Sequence, residues 1–183
     1  MTDPFDLYPV VAQVAATFAG FGSLASGLGQ RRAGDDARMD AYRLRSMLLV
    51  SLSATLLGLL PATFAGLKGD ETWGVHVAAW IAAGSILIHT PASMWKARKL
   101  RSVAGFSKTA TMTNLICVWG AFIAFILCAR NGPGNDDSSL YLLGLMGMLG
   151  SSLMLFSRVI VSMLAPFHRA GEEPQAEVRA SDA

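Results

Sequence analysis

Five side chains with usable chemistry sit in or beside otherwise apolar stretches of this sequence: Gln13, His76, His89, Asn114 and Arg158. Gln13 and Asn114 each carry a donor and an acceptor on one amide, and the two imidazoles can donate, accept or relay a proton. No Asp or Glu lies within the same stretches. Ion-coupled carriers and pumps usually hold an intramembrane carboxylate, so coupled transport is not expected. The histidines are thirteen residues apart, roughly 20 Å along a helix. They cannot share one metal ion, and no third ligand stands near either, so no metal or cofactor is expected. The sequence has no His-Glu-x-x-His and no Gly-x-Ser-x-Gly, and its apolar stretches hold no paired carboxylates. Positioned nucleophiles, acids or ligands are what a membrane enzyme needs, and the reading is therefore non-enzymatic. No nucleic-acid or nucleotide motif is present either.

The segments that must position these residues are set by composition. The 183-residue chain is 52% hydrophobic and 15% charged, against about 25% charged in a soluble domain. Five windows lack Asp, Glu, Lys and Arg for 20 residues or more: Leu7–Gln30, Ser46–Leu67, Thr72–Trp95, Thr109–Ala129 and Ser138–Ser157. About 20 residues of helix cross a ~30 Å hydrocarbon core. Lipid leaves backbone groups no partner but the segment itself, so each window is expected to be helical. A transmembrane β-strand would alternate over about ten residues, and these runs do not. The acidic start, with Asp3 and Asp6, lacks the basic region of a cleavable signal, so the first window is expected to stay as a helix.

Charge sets the expected orientation. Arg31, Arg32, Arg38, Arg43 and Arg45 precede the second window, and Lys96, Arg98, Lys99, Arg101 and Lys108 follow the third. Arg158, Arg169 and Arg179 close the chain, while the remaining connections hold only Lys68 and Arg130. Basic loops remain cytoplasmic, and five spans put all three basic segments on one side. The expected fold is thus all-α: an integral membrane up-down bundle of five helices with the N-terminus out and the C-terminus in. It occupies residues 1–167, with spans at about 8–29, 46–67, 72–95, 109–129 and 138–160. The third span holds both histidines and ends near Pro91. Asp35 or Asp36, after a break at Gly34, can start a helix that runs into the second span. Residues 168–183 are polar and expected to be a disordered cytoplasmic tail.

With these depths, Gln13 could bond His76 across the first and third helices, and His89 could bond Asn114 across the third and fourth, as polar glue. Arg158 follows twenty charge-free residues and reaches the inner boundary, yet Val159–Leu164 is apolar again. Either the helix turns into the interface and Arg158 snorkels, or Arg158 is buried and pairs with Asp35, Asp36 or Asp40. Small residues recur at contact spacing. The first span has the ridge Ala12, Ala16, Gly20 and a second ridge Ala15, Ala19, Ser23, Gly27; the second span has Ala54 and Gly58. The fifth has Gly144, Gly147 and Gly150, with Ser151 beyond. Such ridges allow close helix approach, and two of them suggest a central first helix, although either could serve a second copy. Tyr8, Trp73, Trp95 and Tyr141 fit interfacial belts, with Trp80 and Trp119 deeper as packing residues. Cys117 and Cys128 lie eleven residues apart on one span and read as small core residues.

The segment Thr17-Phe-Ala-Gly-Phe-Gly-Ser-Leu-Ala-Ser-Gly-Leu-Gly-Gln-Arg-Arg, with a second span ending at Leu60-Pro61, resembles small uncharacterised bacterial multi-pass membrane proteins with a Phe-Ala-Gly-Phe first helix. The resemblance covers about residues 12–61. It implies a location, the bacterial inner membrane, and no activity. The expected function is a non-catalytic structural or interaction subunit, or a homo-oligomer, whose partners are the lipid bilayer and further membrane proteins. The alternative is a channel or uncoupled permeation pathway lined by Gln13, His76, His89 and Asn114.

Overall fold

The computed structural model describes residues 4–29, 35–99, 108–132 and 137–181. They form helices α1 (Pro4–Gly29), α2 (Asp35–Lys68), α3 (Glu71–Lys99), α4 (Lys108–Asn131) and α5 (Ser138–Ser181), with no strand among the described residues. All five are long and apolar enough to cross a membrane, over Phe5–Leu24, Ala41–Leu67, Glu71–Trp95, Thr111–Asn131 and Ser138–Val161. α2 starts at Asp35 and runs unbroken into its apolar part. α3 continues through Pro91 to Lys99. α5 passes Arg158 without a turn and remains helical to Ser181, across a segment whose composition predicts disorder. Its Ala, Glu, Gln and Arg residues are all good helix formers, so polarity alone does not forbid a helix there.

The connection between α2 and α3 shows local chemistry fixing a helical hairpin. Gly69 takes a positive φ of 72°, and its N–H donates to the Ala65 carbonyl at 2.6 Å. That left-handed step ends α2 without Cβ strain. Asp70 then caps α3, accepting the Thr72 and Trp73 N–H groups at 3.0 and 3.2 Å on one carboxylate oxygen. Two of the otherwise orphaned amides at the helix start are thereby satisfied.

The helices alternate in direction. Tyr8 of α1 lies beside Tyr141 of α5 and Phe64 of α2 beside Trp73 of α3 at one end. At the other end Phe21 meets Phe156, and the Tyr42 hydroxyl donates to the Ser93 carbonyl. Each helix packs on its sequence neighbour, and α5 closes the arrangement by packing on α2 and α1 as well as α4. The result is a three-helix group (α1, α2, α5) and a four-helix group (α2, α3, α4, α5) sharing the α2–α5 edge. α1 does touch two neighbours, but it is peripheral and shares no contact with α3 or α4 among the described residues. The central position suggested by its two small ridges belongs to α2 and α5.

The interior is rich in small side chains, with a few large ones such as Tyr8, Phe125, Tyr141 and Leu145 among them. Ala15, Ala54, Ala78, Ala79, Ala82 and Ala121 are buried, while Leu56, Ile88, Ile116 and Leu143 are 62–72% exposed. Helices approach most closely at glycines. A Cβ on Gly74 would stand 2.6 Å from the Pro61 carbonyl oxygen and 2.9 Å from the Ala65 nitrogen. Gly58 faces Ala12 and the Tyr8 carbonyl, Gly144 faces the Phe125 ring, and Gly147 faces Ala121. Ala16 and Gly20 differ from their expected place, since both are exposed and nothing lies within 4 Å of a Cβ at Gly20. α1 instead turns Ala12, Ala15 and Ala19 inward.

Gly74→Leu is expected to destabilise the bundle by about 1–3 kcal/mol, because the obstructing atoms are backbone and cannot swing aside. Gly84→Ala on the same helix meets nothing within 4 Å and should be neutral or slightly stabilising. Thermal unfolding in mild detergent compares the two, and equal midpoints would refute the close α2–α3 contact.

Candidate functional site

The polar groups inside the bundle converge on α5. Consecutive residues of a helix point about 100° apart, so neighbouring serines can reach two different helices. Ser152 meets Ser51 of α2, oxygen to oxygen at 2.5 Å, with both side chains fully buried. Ser151 donates to the Asn114 side-chain oxygen of α4 at 2.6 Å. One turn beyond Ser51, the Thr55 hydroxyl donates to the Ser51 carbonyl at 2.9 Å and reaches the Ala12 carbonyl of α1 at 3.4 Å.

A second polar layer lies toward the end of the bundle that holds Tyr8. The Tyr141 hydroxyl donates to the Leu57 carbonyl at 2.7 Å, and the Tyr8 hydroxyl donates to the Ser138 carbonyl at 3.0 Å. Their rings stack edge to face at 5.2 Å, and Phe125 adds a third ring at 5.2 Å from Tyr141. Burial of these aromatics needs a partner for each hydroxyl, and a helix carbonyl with a spare lone pair supplies it. Tyr8 and Tyr141 are therefore core residues, in contrast to their expected belt position. Trp80 and Trp119, expected to be packing residues, are 54% and 44% exposed.

The residues singled out in the sequence are dispersed. Gln13 is exposed on the outer face of α1 and His89 is exposed on α3. With no contact between α1 and α3 among the described residues, Gln13 cannot reach His76. His76 is half-buried, with a buried Nδ1 that has no partner. Asn114 bonds Ser151 on α5 instead of His89 on α3. Arg158 is half-buried, and its electrostatic neighbour is another cation, Arg43 of α2. The side chains of Asp35, Asp36 and Asp40, its candidate partners, lie outside the described residues. Ser151 and Gly147 do lie at the α4–α5 contact and Gly144 against Phe125. Cys128 is buried with its thiol 3.7 Å from the Asp137 carbonyl, and Cys117 is half-buried.

This arrangement suits cohesion more than bond-making. An attacking serine needs a base beside it, whereas Ser152 faces another hydroxyl and Ser151 faces an amide oxygen. Among the described residues no three His, Cys, Asp or Glu side chains gather as a metal site. A cavity of about 120 Å³ between α3 and α4 is lined by Ile86, Leu87, Thr90, Pro91, Met94, Trp119 and Phe122, and none of the polar candidates borders it. Sequence reading missed Ser51, Ser152 and Thr55. The available signal was the Ser51–Thr55 pair one turn apart in an apolar run, and the adjacent serines of α5. Comparison of the chain with family models, curated proteins and solved structures finds no match.

A double-mutant cycle of Asn114→Ala and Ser151→Ala is expected to give a coupling of about 1 kcal/mol, the scale of interhelical bonds in membrane bundles. His76→Phe, which removes an unpartnered nitrogen, should change stability far less. Unfolding in detergent measures both, and zero coupling would show that the Asn114–Ser151 bond contributes nothing.

Proposed function

We propose that this chain is a multi-pass membrane protein, N-terminus outside and C-terminus cytoplasmic, acting as a non-catalytic structural or interaction component of the inner membrane. It works as a homo-oligomer or within a larger membrane complex. The observation that carries this reading is the exposure of many large Leu, Ile, Val and Trp side chains on all five helices, around a core rich in Ala and Ser. A surface so apolar around five helices of spanning length suits lipid and not water. The arginine and lysine asymmetry of the connections supports the orientation. The polar bonds tie helices to one another, and among the described residues the buried hydroxyls and the Asn114 amide face one another or backbone carbonyls. The channel alternative requires Gln13, His76, His89 and Asn114 on one common face. Two of them are exposed on different helices and one is held by Ser151, so no observation favours it.

Membranes carrying the protein are expected to retain it through an alkaline carbonate wash and release it to detergent. A fluorescent-protein fusion within residues 96–108 should fluoresce, and an alkaline phosphatase fusion within residues 133–136 should be active. Release by carbonate would overturn the membrane reading, and active phosphatase at residues 96–108 would overturn the orientation.

A further inference from the structure

We infer that the outward face of α1 is the contact surface for a second copy of this chain, with Gln13 at its centre; this rests on the membrane reading proposed above. α1 turns Tyr8, Val11, Ala12, Ala15 and Ala19 into the bundle and packs only on α2 and α5 among the described residues. Its opposite side is open, and along it Asp6, Val10, Gln13, Thr17, Gly20 and Leu24 are all exposed. They follow the alternating four-and-three spacing of a helix seam.

Any outward helix line approximates that spacing, and the residue types are what set this one apart. The open faces of the other helices carry mainly bulky side chains such as Leu52, Leu56, Ile88, Ile116 and Leu143, with exposed Thr63, Gly66, His89 and Gly120 scattered over three helices. The open face of α1 carries an amide, a hydroxyl and a glycine over two turns. Gln13 lies eight residues into the apolar stretch Phe5–Leu24, roughly 12 Å from its start and near its middle. Its backbone carbonyl accepts the Thr17 hydroxyl at 2.9 Å. No side chain among the described residues meets its amide. An amide left bare in hydrocarbon is strongly unfavourable, since lipid offers it no partner.

A second copy resolves that exposure by symmetry. Both copies insert in the same orientation, so two α1 helices related by a two-fold axis along the bilayer normal run parallel. Their glutamines then lie at the same depth. Each Nε2 donates to the other's Oε1, because the primary amide is self-complementary. Thr17 and Gly20, with Ala16 at the flank, leave room for the backbones to close in, and a Cβ at Gly20 would meet nothing of its own chain within 4 Å. The interface is isologous and closes at two copies. A polar residue at the centre of such a seam also fixes register and copy number.

The test is energy transfer between donor- and acceptor-labelled full-length protein in phosphatidylethanolamine–phosphatidylglycerol vesicles, across a range of protein-to-lipid ratios. The wild type should associate as a dimer. Gln13→Leu should weaken association about tenfold, the effect of losing an interhelical amide pair. Gln13→Asn, which keeps the amide, should retain most of it, and Leu143→Ala on the open face of α5 should change nothing. Energy transfer no greater than random mixing, or Gln13→Leu dimerising like the wild type, would overturn the proposal. So would cross-linking in native membranes that joins this face to a polypeptide of different mass. A carbonate wash of the same membranes separates the two claims. Retained but monomeric protein sinks only the dimer, whereas released protein sinks the membrane reading beneath it.

Discussion

The structure depends on an exchange of size for polarity as the rule for what is inside. In water a helix buries its apolar stripe, and polarity marks the two faces. Around these helices both faces are apolar, so that distinction is absent. Association in lipid draws on van der Waals contact at short range, and short range requires small side chains. The run of Ala78, Ala79, Ala82 and Ala83 on α3 and the glycine contacts at Gly58, Gly74 and Gly147 follow from that rule. Much of the exposed surface of the helices is bulky Leu, Ile, Val and Trp, while the large buried side chains are fewer.

Where small groups line a helix contact, few atoms remain to hold a particular rotation of that helix. The hydroxyls of α5 fill that role. Tyr141 fastens to α2 near one end, and Ser151 and Ser152 fasten to α4 and α2 farther along. α5 is last in the chain, yet it touches helices from the first onward. Its bonds to α1 and α2 span from 84 to 130 residues of sequence. The bundle is therefore not a row of hairpins, and its closure depends on contacts distant in the chain.

The sequence made some of this legible and concealed the rest for physical reasons. The five helices were visible as long runs free of charge, whereas the Gly69 step and the Asp70 cap passed unread although both carry residue types favoured at such places. Ala12, Gly144, Gly147 and Ser151 stood out by size and do lie at contacts. Size could not tell which of two small ridges of α1 faces inward, and Ala16 and Gly20 proved to be outside. Tyr8 and Tyr141 looked interfacial because their positions near helix ends suit either a headgroup or a neighbouring carbonyl. The pairings of Gln13 with His76 and His89 with Asn114 assumed depth was enough. Contact requires adjacent helices and facing sides as well, and composition encodes neither.

The adjacency of Ser151 and Ser152 gives the buried polar bonds a role that their energies understate. Each bond is worth about 0.6–2 kcal/mol, little against the packing of the bundle. Yet the two serines point to different helices because they are consecutive. Rotating α5 by one residue, about 100°, would bring at most one serine toward the other's partner and would leave either Asn114 or Ser51 without its bond. The penalty for the wrong arrangement thus exceeds the gain in the right one, since an unsatisfied buried group costs more than its bond returns. Small side chains let these helices approach in several rotations, and the hydroxyl bonds favour the one in which both serines meet their partners.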